Sequence, residues 1–380
     1  MTVTDRDSAL RVGELVDLAV RALPAMWRPE KDEFAQTLRG VPSAHGPLLR
    51  PEGTNLRYSA IVALGAGRLP EDAQRTALAG QSAAELATGV ARRAVGHADP
   101  GTVALAAWAV AEVTGEADAA LVMRLRELLA HDSPLPTVDM SWMLSAALAG
   151  PPAGGEEIIG SVRRRLLAEQ GAEGIFPHVL PATAQGRLRA HVGCFADQVY
   201  PIQALARLAR AHGDDEALAV ANATAARICA LQGDAGQWWW HYDVRDGSVV
   251  EGFPVYSVHQ HAMGPMALRE LRAAGGTDHT AEMELGLSWL DTHPEVVEDL
   301  VSDRFAVIWR KVGRREPAKA ARKIAAALTS LRPGLHLPGL DKAFPAGVVD
   351  HECRPYELGW LLYAWLDGTD ATDTTGDHDD

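Results

Sequence analysis

The stretch VALAAWAVAEV, from Val103 to Val113, predicts a helix that is apolar on every side. A helix with a charged stripe has one face in water, whereas a helix that is apolar all round is buried between other elements. Six segments of this kind recur along the chain, and each follows a cluster of polar or aromatic residues. These clusters are Asn55–Tyr58, Asp99–Thr102, Thr137–Asp139, Asp197–Tyr200, Tyr256–His259 and Arg354–Glu357. Such a repeat indicates a fold built from helix pairs.

More amphipathic, charged helices are predicted between most of these segments, for example from Asp214 to Leu231. Alternating runs of β-branched residues, which are typical of strands, are almost absent. Six buried helices inside six half-exposed helices would form two concentric rings. The sequence therefore predicts an all-α protein with a single (α/α)6 toroid and a helical insertion before the last repeat.

The predicted toroid domain covers residues 1–366. The interval before the last repeat is the longest, and extra helical pattern at about 280–331 predicts an inserted hairpin or lid there. Residues 367–380 contain no large apolar side chain, so this segment cannot bury enough surface to fold. We predict a disordered acidic tail.

Two loops before inner helices share one pattern, Gln-x3-Gly-x-aromatic. They are Gln170–Phe176 and Gln232–Trp238, each about twenty residues ahead of its inner helix. Two matches with identical internal spacing support a repeat in register.

The composition excludes several classes of function. With 36 basic and 50 acidic residues the net charge is −14, whereas nucleic-acid binding needs clustered Lys and Arg. The densest basic stretch, Arg310–Lys323, is predicted to be a solvated helix face. The three widely spaced cysteines predict neither a disulfide framework nor a CxxC zinc site, so we expect no metal and no cofactor. No signal peptide and no apolar stretch of about 18 residues is present, which predicts a cytoplasmic protein without a membrane span.

The starts of the inner helices would rim the open end of a central cavity, where a small-molecule substrate would bind. Asp139 and Asp197, on neighbouring inner helices, are the best candidates for the carboxylate pair that glycoside hydrolysis needs. Glu357 and His259 are further catalytic candidates. Candidate substrate-binding residues at the same rim are Arg57, Tyr58, Asp99, Trp142, Tyr200, Trp238, Trp240, Tyr256, Gln260, Arg354 and Tyr356.

Alternative roles exist for several of these side chains. Asp99 and Asp197 could cap their helices. The aromatic run Trp238–Tyr242 could stack on sugar rings, shelter a polyene or fill the core. Arg57 and Arg354, in the first and sixth repeats, could together hold a carboxylate or phosphate.

Five short pieces resemble the unsaturated glucuronyl hydrolases, which are intracellular (α/α)6 carbohydrate enzymes of this length. They are Asp99–Thr102, Thr137–Met140, Phe195–Asp214, Trp240–Asp243 and Pro254–Ser257, in the order of that family. The resemblance implies hydrolysis of a small anionic sugar or oligosaccharide, with Asp139 as general acid assisted by Asp99. The chain departs from the family at Tyr256, where an aspartate is usual, and at Ala196–Gln198, which replaces Arg-Gly-Gln. The substrate can therefore differ.

The pattern Gln-x3-Gly-x-Trp also resembles the loops of squalene-cyclase and prenyltransferase toroids, which implies isoprenoid cyclisation as an alternative. The Asp-x-Asp-Asp acid of those cyclases is absent from the predicted toroid domain, residues 1–366. Sugar epimerisation, with His259 facing His178 or His351, is a further possibility, as is a non-catalytic helical binding protein. The sequence makes no prediction of oligomeric state.

Overall fold

The structure is a computed structural model that describes residues 3–131, 133–150 and 154–367. The predicted tail lies outside the described residues from 368 onward. The α-helices are α1 (Val3–Ala22), α2 (Leu56–Ala66), α3 (Glu71–Ala77), α4 (Ala83–Ala94), α5 (Pro100–Thr114), α6 (Ala119–Ala130), α7 (Thr137–Ala149), α8 (Gly155–Glu169), α9 (Ala196–His212), α10 (Asp215–Ala230), α11 (Gly264–Ala273), α12 (Thr280–Thr292), α13 (Ala320–Leu331), α14 (Leu340–Ala343) and α15 (Pro355–Trp365). A π-helical turn at His259–Met263 leads into α11.

The inner ring consists of α2, α5, α7, α9, the π turn with α11, and α15. Each of these helices packs against the next, and α15 packs against α2, so the ring is closed. The outer helices α1, α4, α6, α8, α10 and α12 pack against the inner ones. The prediction of an all-α (α/α)6 toroid is confirmed, and each inner helix begins within about one turn of its predicted start.

The two rings follow from the sequence pattern of their helices. In α5 every residue from Gly101 to Ala111 is buried, because the helix lies between its ring neighbours and the outer layer. In α4 a Ser82–Glu85 capping box starts the helix, the buried residues form one stripe, and Arg92 and Arg93 face water.

Short antiparallel strands, which the sequence pattern did not predict, surround the starts of the inner helices. They are β1 (Trp27–Arg28), β2 (Glu33–Phe34), β3 (Thr37–Val41), β4 (Leu48–Glu52), β5 (Leu135–Pro136), β6 (Val179–Leu180), β7 (Val192–Cys194), β8 (His241–Asp243), β9 (Val249–Glu251), β10 (Val255–Tyr256), β11 (Val301–Ser302), β12 (Val307–Ile308), β13 (Lys311–Arg314), β14 (Ala346–Asp350) and β15 (Glu352–Cys353). They form the three-stranded sheets β15-β3-β4, β7-β8-β9 and β10-β13-β14 and three two-stranded pairs. Strands β5, β7, β10 and β15 run almost directly into inner helices and so fix where those helices start.

The two loops of the Gln-x3-Gly-x-aromatic pattern attach each hairpin to the next outer helix. Gln170 Nε2 donates to the carbonyl oxygen of Val220 in α10 at 2.9 Å. Gln232 Nε2 donates to the carbonyl oxygen of Glu282 in α12, also at 2.9 Å. The repeated sequence pattern therefore corresponds to a hydrogen bond between a glutamine side chain and the next outer helix that recurs in the toroid.

The interval 280–331 contains two helices of different kinds. Helix α12 packs against the fifth inner segment as an outer helix of the ring, whereas α13 packs on β9. The basic stretch from Arg310 was predicted to be helical, and this is wrong for its first residues: Lys311–Arg314 form β13. The division into domain, insertion and tail stays a prediction. Within the described residues, no helix is both long and apolar enough to cross a bilayer.

Ring closure depends on two glycines that face each other across α2 and α15. A Cβ at Gly65 would overlap the carbonyl oxygen of Gly359, and a Cβ at Gly359 would lie 2.8 Å from the carbonyl oxygen of Ile61. Arg68 at the end of α2 adds hydrogen bonds to the carbonyl oxygens of Tyr363 (2.6 Å) and Leu366 (3.0 Å). The first and last repeats are therefore in backbone contact.

Replacing Gly65 by alanine should push α2 away from α15 and lower the free energy of unfolding by about 3 kcal/mol or more, because backbone cannot yield as a side chain can. Gly160→Ala is the matched control: this helical glycine is exposed with no atom within 4 Å of an added Cβ, so alanine should stabilise by about 0.5–1 kcal/mol. Urea unfolding of both variants measures the difference. Equal stabilities would contradict the closure argument.

Candidate active site

A cavity of about 400 Å³ opens at the starts of the inner helices. Eight of the residues predicted for the site line it: Arg57, Tyr58, Trp142, Tyr200, Trp240, Tyr256, His259 and Tyr356. The remaining lining residues are Asn55, Ile61, Val138, Ala196, Met263 and Arg310. Of these, Arg310 is the only charged one, and it is not among the residues predicted from the sequence.

Seven predicted residues do not line this cavity: Asp99, Asp139, Asp197, Trp238, Gln260, Arg354 and Glu357. Trp238 is fully buried and stacks on Phe195 at 5.7 Å between ring centroids. The Gln260 amide accepts a hydrogen bond from the Trp238 backbone N–H and donates to the Tyr256 carbonyl oxygen. Both residues hold the fourth and fifth repeats together, and neither side chain is free for a ligand.

Asp139 is a buried carboxylate directly behind the cavity wall. It stands in the first turn of α7, next to the lining residue Val138, and only 3% of it is exposed. Burial raises the pKa of Asp139 to about 6, against the lowering effect of Arg57, whose Nη1 lies 3.6 Å from Oδ1. About half of this carboxyl is therefore protonated at pH 6.

Arg57 connects this acid to a second carboxylate. Its Nε donates to Asp99 Oδ2 at 2.5 Å, and its Nη2 donates to the other oxygen. Asp99 also caps α5 by accepting the Thr102 backbone N–H at 2.9 Å. Although burial acts to raise the pKa of Asp99, these hydrogen bonds lower it. Asp99 is thus an ionised partner that fixes the guanidinium beside Asp139.

Asp197 is fully buried and is bonded to a histidine. Its carboxylate accepts the Cys194 backbone N–H at 2.7 Å and faces His178 Nδ1 at 3.0 Å. The charge of Asp197 raises the pKa of His178, whose side chain is 43% exposed. The structure therefore joins Asp197 to His178, a residue predicted from the sequence only as an epimerase partner of His259.

His178, Cys194 and Asp197 also offer ligand atoms within 4.8 Å of one another, a spacing that would suit a metal ion. They come from a loop, a strand and a helix, so no local spacing in the sequence marks them. The absence of a CxxC motif in the sequence therefore does not exclude a metal site formed by these three residues.

Glu357 is fully buried at the start of α15, and neither of its carboxylate oxygens has a hydrogen-bond partner among the described residues. Burial raises the pKa of Glu357 to about 7, although Arg310 and Arg354 act in the opposite direction. Arg310 Nε lies 3.5 Å from Oε1. Glu357 is therefore largely neutral at pH 6. The other acidic neighbour of the cavity arginine is Asp350, whose Oδ2 lies 3.8 Å from Arg310 Nη1 and 2.7 Å from Lys311 Nζ.

Arg310 lies over the Tyr256 ring, with its guanidinium carbon 4.9 Å from the centroid. The pairing of β10 with β13 places Tyr256 opposite Lys311 and thereby brings Arg310 to the cavity. The run Val307–Trp309, two β-branched residues and a tryptophan, marks the preceding strand β12 and is the strand signal nearest to Arg310 in the sequence.

Arg354 is held outside the cavity by two neighbours. Its Nε and Nη2 donate to Glu352 Oε2 at 3.0 and 2.7 Å, and its Nη1 donates to the Tyr58 hydroxyl at 2.9 Å. Arg57 is likewise paired with Asp99. The two arginines predicted to clamp an anion are thus already neutralised, and Arg310 is the lining arginine closest to that role.

Aromatic side chains form much of the remaining wall. His259 is 2% exposed and stacks on Trp240 with an interplanar angle of 10°. Burial lowers the pKa of His259 far below its usual range, so the imidazole is neutral. Tyr58 and Tyr356, on the two helices that close the ring, have their ring centroids 4.6 Å apart and their planes tilted by 35°. Flat rings at the wall of a polar cavity suit a sugar ring or another flat apolar face.

Replacing Glu357 by glutamine should stabilise the protein increasingly as pH rises from 5 to 8. The pKa of Glu357 is about 7 in the folded protein and has its ordinary value of 4.5 in the unfolded chain. The wild type therefore loses stability as pH rises between these two values. We expect the difference in free energy of unfolding between the variant and the wild type to grow by about 2 kcal/mol over this range. Urea unfolding at each pH measures this difference.

Glu352→Gln is the control. Burial opposes ionisation of Glu352, but Arg354 and Arg39 lower its pKa, so it is ionised in both folded and unfolded states across this range. The difference in free energy of unfolding between Glu352→Gln and the wild type should not change with pH. A pH-independent difference for Glu357→Gln as well would show that Glu357 is ionised throughout.

Comparison with known proteins identifies the fold. No protein-family model matches the chain, and no curated protein matches it. Among solved structures, a UGL variant with dGlcA-Glc-Rha-Glc is similar at a TM-score of 0.56 and 14% identity, covering 93% of this chain and 94% of that one. An unsaturated glucuronyl hydrolase specific for heparin gives 0.54 and 14%, covering 95% of both chains. A glycosidase variant in complex with glucose gives 0.56 and 14%, covering 96% and 98%. The chain shares with these proteins the (α/α)6 toroid over almost its whole length.

Proposed function

We propose that the protein is a carbohydrate-active enzyme that hydrolyses a glycosidic bond of a small anionic sugar or oligosaccharide bound in the toroid cavity. The observation that carries this proposal is the buried Asp139 carboxyl, whose pKa is raised to about 6 beside the cavity. The toroid fold shared with glycosidases supports the same conclusion. Glycoside hydrolysis requires a carboxyl that is still protonated near neutral pH.

Asp139 would donate its proton to the glycosidic oxygen as the bond from that oxygen to the anomeric carbon breaks. Arg57, held by Asp99, would then stabilise the carboxylate that remains. This division of labour agrees with the role that the family resemblance implies for Asp99, since it acts through Arg57. Glu357 would influence the site through Arg310.

His178 would orient the attacking water and accept its proton, and Asp197 would hold the imidazole through Nδ1. Asp197 is therefore a positioning residue in this proposal, because its carboxylate is fully buried and already accepts two hydrogen bonds. The acid needs a pH below its pKa and the base a pH above its own, so a narrow bell-shaped pH profile is expected.

The anionic character of the substrate rests on Arg310. This guanidinium lines the cavity, and its neighbour Glu357 is largely protonated at the pH where Asp139 is half ionised. A carboxylate on the substrate would pair with this guanidinium, because its remaining acidic neighbour, Asp350, is shared with Lys311. The aromatic residues Trp142, Trp240 and Tyr356 would contact the apolar faces of the sugar rings.

Asp139→Asn should reduce kcat at least about a hundredfold, because it keeps the shape of the side chain but removes the transferable proton. The measurement is turnover on a panel of uronic-acid-containing and neutral oligosaccharides. Asp118→Asn is the matched control, since Asp118 caps the outer helix α6 and asparagine caps equally well. Full activity of Asp139→Asn would eliminate the acid role. Turnover of a polyene diphosphate without any turnover of uronides would instead support the cyclase alternative.

Arg310→Met should raise KM for the anionic substrate about tenfold or more with a smaller effect on kcat, because it removes the charge that binds the carboxylate. Arg310→Lys is the matched variant, and it should restore part of the affinity. A neutral analogue should bind the wild type and both variants alike. Equal losses on anionic and neutral sugars would contradict an anionic substrate.

A further inference from the structure

We propose that Cys229, His279 and Glu282 form a binding site for a zinc ion between the outer helices α10 and α12. This site is separate from the cavity, and the inference does not depend on the proposed function. It rests on the position of three ligand types that zinc prefers and on a buried imidazole nitrogen that lacks a partner.

The ligand atoms are already close together. A ring nitrogen of His279, the Cys229 sulfur and a Glu282 carboxylate oxygen all lie within 4.8 Å of one another. His279 Nδ1 and Glu282 Oε1 are 3.5 Å apart. Tetrahedral zinc, with bonds of about 2.0–2.3 Å, separates its ligands by about 3.3–3.8 Å. Side-chain movements of roughly an ångström would complete the coordination.

The backbone that carries the ligands is fixed independently of any metal. The backbone N–H of Thr277 donates to Asn222 Oδ1 on α10 at 2.8 Å. Gln232 Nε2 donates to the carbonyl oxygen of Glu282 at 2.9 Å. Cys229 is in the last turn of α10, while His279 and Glu282 flank the start of α12. These bonds hold the two sides of the site together before an ion binds.

The unmet bonding capacity of His279 points to a ligand. This residue is 7% exposed, and its Nε2 has no hydrogen-bond partner among the described residues. Burial of a ring nitrogen without a partner costs free energy, which coordination through Nε2 would recover and coordination through Nδ1 would not. The Cys229 thiol is also buried, and it would release its proton to solvent when its sulfur binds the ion.

The ligand set selects the metal. One thiolate, one imidazole and one carboxylate suit zinc, whereas magnesium and calcium prefer oxygen ligands alone. The Glu282 side chain is 34% exposed, so water can occupy the fourth position. The ion would link the outer helices of the fourth and fifth repeats, where the Gln232 loop already joins them.

The test uses the full chain after dialysis against a chelator. Zinc should bind with one ion per chain, and cobalt should give the absorption band of a thiolate-to-metal charge transfer. Cys229→Ser should abolish this band. Cys353→Ser, which changes another buried cysteine, and Cys194→Ser, which changes the cluster of His178, Cys194 and Asp197, should retain it.

His279→Gln tests the same site with the cysteine intact. It should weaken zinc binding about tenfold or more and abolish the zinc-dependent rise in melting temperature that the wild type shows. This variant decides the matter if Cys229→Ser does not fold. Absence of stoichiometric zinc in the wild type, loss of the cobalt band in Cys194→Ser, or wild-type affinity in His279→Gln would each overturn the proposal.

Discussion

The contact between α2 and α15 is the constraint on which the rest of the molecule depends. Gly65 and Gly359 let the two backbones touch, and no larger residue fits between them. Because this contact joins the first repeat to the last, six hairpins enclose a space instead of extending as an open superhelix. The cavity and its rim of polar side chains exist only because the ring is closed.

Closure also determines the chemistry of the rim. Asp139, Asp197 and Glu357 all stand in the first turns of inner helices, and the neighbouring helices remove them from water. The three carboxylates nevertheless differ. Asp197 accepts two hydrogen bonds, whereas Glu357 accepts none, and Asp139 faces only a guanidinium that is shared with Asp99. One structural position in three repeats thus produces a carboxylate bonded to a histidine and two carboxyl groups whose pKa values are raised.

The sequence predicted the ring because its inner helices are apolar on every side. This pattern can be recognised in each helix without knowing which elements pack around it. It also placed residues such as Tyr200 and Tyr356 at the cavity, since each follows from its position at a helix start. Arg310 could not be found in this way. It reaches the cavity through the pairing of two short strands that are about fifty residues apart, and strands of two to four residues leave almost no periodic signal.

The same distinction explains why the partners of the predicted residues were harder to find than the residues themselves. Asp197 was selected from its helix, but its hydrogen bond to His178 links a helix to a loop nineteen positions earlier. Arg354 was assigned to anion binding, but Glu352, only two residues away, occupies its guanidinium. Charge on a side chain can be read from sequence, whereas its neutralisation depends on which of several nearby opposite charges the fold brings into contact. The cavity retains a cation at Arg310 because its nearest carboxylate, on Glu357, is buried deeply enough to hold its own proton. The next carboxylate, on Asp350, lies 3.8 Å away and is shared with Lys311.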